Sequence, residues 1–142
     1  MTPVLELRGV TRVFGHGETA VHALRDVDLA VTAGELVAVM GTSGSGKSTL
    51  LHLAGGLDTA TAGDVVVEGR RLADLGAAGV AALRRRAIGY VFQQFNLVPS
   101  LSALENVMLP LELDGVALRT ARSQASVALA DVGLGGLERR FP

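Results

Sequence analysis

The chain has 142 residues, of which 49% are hydrophobic, 19% are charged and 18 are glycine, which is the composition of one folded domain. Thirteen basic and 14 acidic residues leave a formal net charge of −1, which argues against nucleic-acid binding through a broad basic face and against a polybasic membrane anchor. The absence of cysteine excludes disulfides, cysteine-ligated zinc and thiol catalysis. No apolar run approaches the ~18 residues of a membrane span, and no signal peptide precedes the first strand, so the default expectation is a cytosolic protein.

The first half of the chain predicts three strands followed by a loop and a helix. Val4–Val10 and Val27–Val31 alternate apolar and polar residues, which is typical of half-buried strands. Leu36–Met40 is apolar throughout and predicts a central strand that is covered on both faces. A glycine- and serine-rich loop over 41–46 leads into a helix from Lys47 to about Leu53.

The second half predicts two more short strands and three helices. Gly55 and Gly56 end the first helix, and the remaining elements are strands at Val65–Val67 and Ile88–Phe92 and a helix over Ala77–Arg86 that closes on three arginines. The spacing Ser102-x-x-Glu105 fits a capping box and predicts a helix from Ala103. An alanine-rich helix over Leu118–Asp131 follows, with Gly133 as its cap.

The strongest motif is Gly41-Thr42-Ser43-Gly44-Ser45-Gly46-Lys47-Ser48, which matches G-x-x-x-x-G-K-[ST] between a predicted strand and a predicted helix. Glycines let backbone N–H groups gather around phosphate oxygens, and the helix start adds its positive end. Lys47 is the only lysine beside twelve arginines, and its compact ammonium suits terminal phosphates, while the Ser48 hydroxyl can ligate Mg²⁺. The plainer alternative is a flexible loop with a solvated lysine. Because Lys47 is the only lysine and lies in this loop, the guanine-reading motif Asn-Lys-x-Asp cannot occur in this sequence, which disfavours a GTPase.

Beyond this loop, the chain from residue 4 to its last residue resembles the nucleotide-binding domain of ABC transporters, within them the lipoprotein-releasing and macrolide-export type. The resemblance implies an α/β fold: a P-loop NTPase core with an antiparallel β subdomain over about residues 1–93, and the start of a helical subdomain over about 94–142. The segments that carry it are Leu7–Phe14, His22–Leu29, Gly41–Leu51, Gly55–Asp58, Ile88–Leu97 and Leu104–Val107.

The same resemblance implies residue roles and the cofactors ATP and Mg²⁺. Residues 41–49 would hold the phosphates, with the hydroxyls of Ser45 and Thr49 assisting or merely capping the helix. Phe14 would stack on adenine, although a packed strand phenylalanine is the plainer alternative. Gln93 would lie near Mg²⁺ and the attacking water, so Ser48 and Gln93 are the candidate magnesium ligands. The sequence alone does not distinguish Gln93 from the adjacent Gln94, and the family's spacing selects Gln93 for this role.

Four motifs that the family needs are absent from this sequence: the LSGGQ signature, an apolar strand ending in Asp-Glu, a D-loop and a switch histidine. Val127–Asp131 imitates the Asp-ending strand, but it is alanine-rich and we expect it to be helical. Gly133–Gly136 is explained by a helix cap and a turn. No catalytic residue is therefore assigned, and we expect the front portion of a longer ATPase, ending a few residues before the signature, which binds MgATP and barely hydrolyses it.

The function expected from the resemblance is that of the ATP-binding component of an exporter, peripheral on the inner face of the plasma membrane. Its partners would be a transmembrane permease and a second nucleotide-binding domain, without nucleic acid. The segment from Phe95 to Leu113 resembles the region that faces the permease. Its apolar residues Leu97, Val98, Leu101 and Leu104 form either a docking patch or a core. The alternatives are a non-catalytic interaction module and a fragment of a soluble ABC protein.

Overall fold

A computed structural model describes residues 2–142. The chain divides into two compact units, Met1–Ile88 and Gly89–Pro142, and each is described by itself. The first unit is a sheet with two helices, and the second contains a pair of helices. The α/β architecture expected from the sequence is therefore confirmed.

The sheet of the first unit has four antiparallel strands in the order β2-β1-β3-β4. The strands are β1 Leu5–Phe14, β2 Val21–Val31, β3 Ala62–Val67 and β4 Arg70–Arg71. Strand β1 lies between β2 and β3, so Leu5 faces Val31 on one side and Val67 on the other. Strands β2 and β3 contain the predicted segments Val27–Val31 and Val65–Val67 and begin earlier, whereas β1 begins one residue after the predicted Val4 and continues to Phe14.

The pairing of β1 with β2 is irregular at three places, and polar side chains bond the displaced backbone at two of them. The Gly9 amide donates to Asp28 Oδ1 at 2.7 Å, and the Asp26 amide donates to Thr11 Oγ1 at 3.0 Å. The third irregularity leaves Ala23 unpaired, because Leu24 faces Arg12 while His22 faces Val13. Bulges of this kind increase the local twist of the paired strands.

Two helices pack on this sheet, α1 Lys47–Ala54 and α2 Gly76–Ala87, and short 3₁₀ turns lie at Gly17–Thr19 and Leu72–Asp74. Helix α1 ends at the predicted glycine pair, with the Leu57 amide donating to the His52 carbonyl at 2.8 Å. Apolar side chains from both helices and three strands form one buried cluster. Its members are Leu7, Val10, Leu24, Leu53, Val65, Val67 and Leu83.

Two predicted strands do not form. Leu36–Met40 and Ile88–Phe92 lie outside every strand, and Leu36 and Met40 are 98% and 87% exposed, so the expectation that the first is covered on both faces is wrong for this structure. A strand exists only where a neighbour completes its hydrogen-bond ladder. Among residues 2–142 neither segment has such a neighbour, because the sheet contains only β1 to β4.

The second unit is built on α3 Ala103–Leu113 and α4 Leu118–Asp131. The predicted capping box starts α3: the Glu105 amide donates to Ser102 Oγ, and the Ser102 amide donates to the Glu105 carboxylate at 2.8 Å. The Ser102 hydroxyl also donates to the Glu105 carboxylate at 2.7 Å. This hydrogen bond, the one from the Ser102 amide and the positive charge of Arg122 lower the pKa of Glu105. The facing sides of α3 and α4 bury Leu104, Met108, Ala121, Ala125 and Leu129.

The end of α4 settles two interpretations of the sequence. Residues Val127–Asp131 are helical, as expected, and therefore do not form an Asp-ending strand. Gly133 caps the helix, because its amide donates to Ala130 and the Leu134 amide donates to Leu129 at 2.8 Å. Helix α4 is 14 residues long, and among residues 2–142 no helix is long and apolar enough to cross a membrane.

Candidate functional site

The predicted phosphate loop is folded around its own lysine. The Lys47 ammonium donates to the carbonyl oxygens of Gly41 at 2.8 Å and Thr42 at 2.7 Å, and lies 3.4 Å from Ser45 Oγ. The Ser45 amide donates to the Thr42 carbonyl at 3.3 Å, which closes a turn. The loop is thus curled, and its single ammonium lies against backbone oxygens rather than extending into solvent.

The backbone amides at the start of α1 have no acceptor. Within residues 2–142, the N–H groups of Gly44 and of residues 46–49 donate to no carbonyl or side-chain oxygen, and no side chain caps the helix. The first helix-bonded amide beyond the loop is that of Leu50, which donates to the Gly46 carbonyl at 2.9 Å. Unpaired amides at a helix start carry the positive end of the helix dipole. An anion with several oxygens is the ligand that suits them.

The bulge at Ala23 fixes the position of this loop on the sheet. Gly46 adopts φ +91°, and a Cβ atom there would stand 2.4 Å from the Ala23 carbonyl oxygen and 3.0 Å from Leu24 Cδ2. Only glycine permits both the backbone angle and the close approach. Leu24 faces Arg12 across the sheet, two residues before Phe14. The loop therefore lies beside the end of β1 that carries Phe14.

Phe14 is the last residue of β1, opposite Val21, and its side chain is 42% exposed. The Arg12 guanidinium carbon lies 4.5 Å from the centre of the Phe14 ring. The Arg12 Nη2 group also donates to Asp58 Oδ1 at 2.8 Å. Phe14 is therefore partly exposed rather than a core residue, and the Arg12 guanidinium covers part of its ring.

Sequence reasoning gave no role to Arg12 or Asp58. The alternation along β1 places residues 12 and 14 on one face, which is a usable signal. Asp58 is 46 positions away from Arg12, in the turn after α1, and no local pattern links the two. Their contact comes from the tertiary fold alone.

Gln93 belongs to the second unit, in an exposed irregular segment that follows Phe92. Phe14 and residues 41–49 belong to the first unit, whereas Gln93 belongs to the second. The neighbouring apolar residues are divided between surface and core: Leu97 and Val98 are exposed, Phe95 is 91% exposed, and Leu104 is buried. Of the two alternatives left open by the sequence, core therefore applies to Leu104, while Leu97 and Val98 remain exposed.

Possible magnesium ligands are few. Among residues 2–142 no group of three or more His, Asp or Glu side chains is placed to hold a metal ion. The exposed Ser48 hydroxyl stands at the start of α1, next to the unpaired amides. Mg²⁺ retains several waters and is commonly held by one or two protein ligands together with substrate phosphates, so a single hydroxyl beside a phosphate site fits it.

Comparison with known proteins gives a consistent result. The family model described as ABC transporter matches residues 24–142. A macrolide export ATP-binding/permease protein, MacB, from Hyphomonas neptunium is 47% identical over 94% of this chain and 21% of that protein. A lipoprotein-releasing system ATP-binding protein, LolD, from Geobacter metallireducens is 45% identical over 94% of this chain and 60% of that protein.

Solved structures agree with these relatives. A dimeric post-hydrolysis state of the ATP-binding cassette MJ0796, bound to ADP and Pi, matches with a TM-score of 0.88 and 39% identity. The match covers 97% of this chain and 61% of that one. The chain thus spans about a fifth of the MacB relative and about three-fifths of the LolD relative and of the cassette.

Proposed function

This chain belongs to the ABC transporter family, and we propose that it binds MgATP through residues 41–49 as the ATP-binding part of a transporter that powers export. The observation that carries this proposal is the run of unpaired amides at Gly44 and 46–49 beside the Lys47 ammonium. Their positive potential suits a polyphosphate, and no acceptor within residues 2–142 competes for them.

The roles within the loop follow from the chemistry of each group. The amides of Gly44 and of residues 46–49 hold the phosphate oxygens, and Lys47 places its charge against the terminal phosphates. To do so the ammonium exchanges its hydrogen bonds to Gly41 and Thr42 for bonds to phosphate. Ser48 ligates Mg²⁺, which neutralises phosphate charge when bound, and the hydroxyls of Ser45 and Thr49 assist the phosphates.

Phe14 and Gln93 complete the proposed site. Phe14 stacks on adenine, since its half-exposed ring stands at the sheet end beside the loop. Gln93 is a proposed second magnesium ligand on the strength of its motif, and its support is the sequence alone. No residue of this chain is proposed as the general base, so we expect tight binding with little turnover.

The partners and location are proposed from the relatives. A permease and a second nucleotide-binding domain are the expected partners, because one relative is described as an ATP-binding/permease protein and the matched cassette is dimeric. The chain would then be cytoplasmic, on the inner face of the membrane. The exposed Phe95 and Leu97 side chains support a protein-binding surface in the second unit.

Ligand-dependent stability tests the nucleotide proposal. At 100 times Kd, MgATP stabilises a folded protein by about 2.7 kcal/mol, so urea unfolding of the chain shifts to higher denaturant. Lys47→Ala loses most of that shift. Ser48→Ala is the matched control for the metal: its affinity for MgATP falls, while its affinity for ATP in EDTA stays that of the unmodified chain. An unmodified chain that is not stabilised by MgATP contradicts the proposal.

A further inference from the structure

Arg12 is held between an aromatic ring and a carboxylate. Its guanidinium carbon is 4.5 Å from the centre of the Phe14 ring, and its Nη2 group is 2.8 Å from Asp58 Oδ1. Both ion-pair side chains are largely buried, which limits the screening of the pair by solvent. The Arg12 Nε group is buried without a hydrogen-bond partner among residues 2–142. The ring and the carboxylate therefore determine where this guanidinium lies.

Asp58 is itself fixed by the turn that carries it. The Thr59 amide donates to the same Asp58 oxygen at 2.8 Å. Two further bonds attach the turn to β1: the Val13 amide donates to Thr61 Oγ1 at 3.0 Å, and the Thr61 amide donates to the Thr11 carbonyl at 2.8 Å. The carboxylate that orients Arg12 is thus attached to the strand that carries Phe14.

We propose that Arg12, oriented by Asp58, is a positioning residue for base recognition, which covers one face of the Phe14 ring and leaves the other face for adenine. This inference rests on the proposed MgATP binding. A phenylalanine at an exposed strand end would otherwise lose rotamer freedom when a base binds. A cation over one ring face is attracted to it and holds the ring before the nucleotide arrives. Arg12 therefore contributes to binding of the base and contributes nothing to binding of the phosphates.

The test compares two ligands by isothermal titration of the full chain: MgATP, and magnesium with inorganic tripolyphosphate, which has no base. We expect Arg12→Ala to weaken MgATP binding about two- to fivefold, the range of a cation–π contact that is not fully desolvated, and to leave tripolyphosphate binding unchanged. Phe14→Ala weakens MgATP binding further, and the double variant is no weaker than Phe14→Ala alone. Asp58→Asn, which releases Arg12 and keeps its charge, gives a loss similar to Arg12→Ala.

The matched control is Arg8→Ala. Arg8 lies on the same strand and pairs with Glu6 at 2.7 Å, and among residues 2–142 it contacts no aromatic ring. Both ligands should therefore bind its variant as they bind the unmodified chain. Urea unfolding establishes whether each variant is folded. If Arg12→Ala does not fold, Arg12→Lys, which retains a charge, is tested in its place. Equal losses for both ligands, no loss, or tighter MgATP binding in Arg12→Ala overturns the inference. An unmodified chain that binds neither ligand refutes the proposed function itself.

Discussion

Replacing Gly46 by alanine tests whether the loop is fixed against the sheet. Gly46 has φ +91°, and an alanine in the left-handed region costs about 1–2 kcal/mol. The new methyl would also stand 2.4 Å from the Ala23 carbonyl oxygen, so the loop or strand β2 must move. Overpacking of this kind typically costs about 1–3 kcal/mol, and we expect Gly46→Ala to lower the free energy of unfolding by about 2–5 kcal/mol.

Gly44→Ala provides the matched comparison. Gly44 has a similar φ of +80°, but nothing lies within 4 Å of the position that its new methyl would occupy, so only the backbone penalty of about 1–2 kcal/mol applies. The loss of unfolded-state entropy that accompanies any glycine-to-alanine change is common to both variants and cancels. Urea unfolding followed by circular dichroism measures the difference. Two variants that agree within about 0.5 kcal/mol would refute the claim that Gly46 is packed against β2.

Two further predictions concern the start of α3. Ser102→Ala removes the helix cap and should lower the free energy of unfolding by about 1 kcal/mol, whereas the exposed Ser100→Ala leaves it unchanged in the same urea experiment. The pKa of Glu105 is lowered in the folded chain, so its contribution to stability is present above about pH 4.3 and is lost as the pH falls through the lower folded value. Unfolding measured from pH 7 to pH 3 should therefore show a smaller acid loss in Glu105→Gln, and parallel curves for the two proteins would contradict the assignment.

The helices could be predicted because their signals are local. Ser102 and Glu105 specify the start of α3 within four residues, and Gly133 specifies the end of α4 within two. The glycine pattern of the phosphate loop is equally local. The curl of the loop around Lys47 follows from residues that are neighbours in the chain.

The strands were harder to predict because a strand is completed by another part of the chain. The apolar run Leu36–Met40 has the composition of a buried strand, yet composition does not supply the neighbour that a ladder needs. The extension of β1 to Phe14 depends on bulges in its pairing with β2, which no period-two pattern predicts. Interaction of Arg12 with Asp58 was missed for the same reason, since it joins positions 46 residues apart.

Helix α1 connects the two halves of the proposed site. At its first turn Gly46 lies against the Ala23 carbonyl of β2, and the turn after its last residue places Asp58 on Arg12 of β1. Between these ends Leu53 is fully buried in the core under the sheet. A helix of eight residues is about 12 Å long and has little room to bend. Because one end contacts β2 and the turn after the other end contacts β1, both ends are attached to one sheet. The groups proposed to bind phosphate and base therefore share a single rigid support.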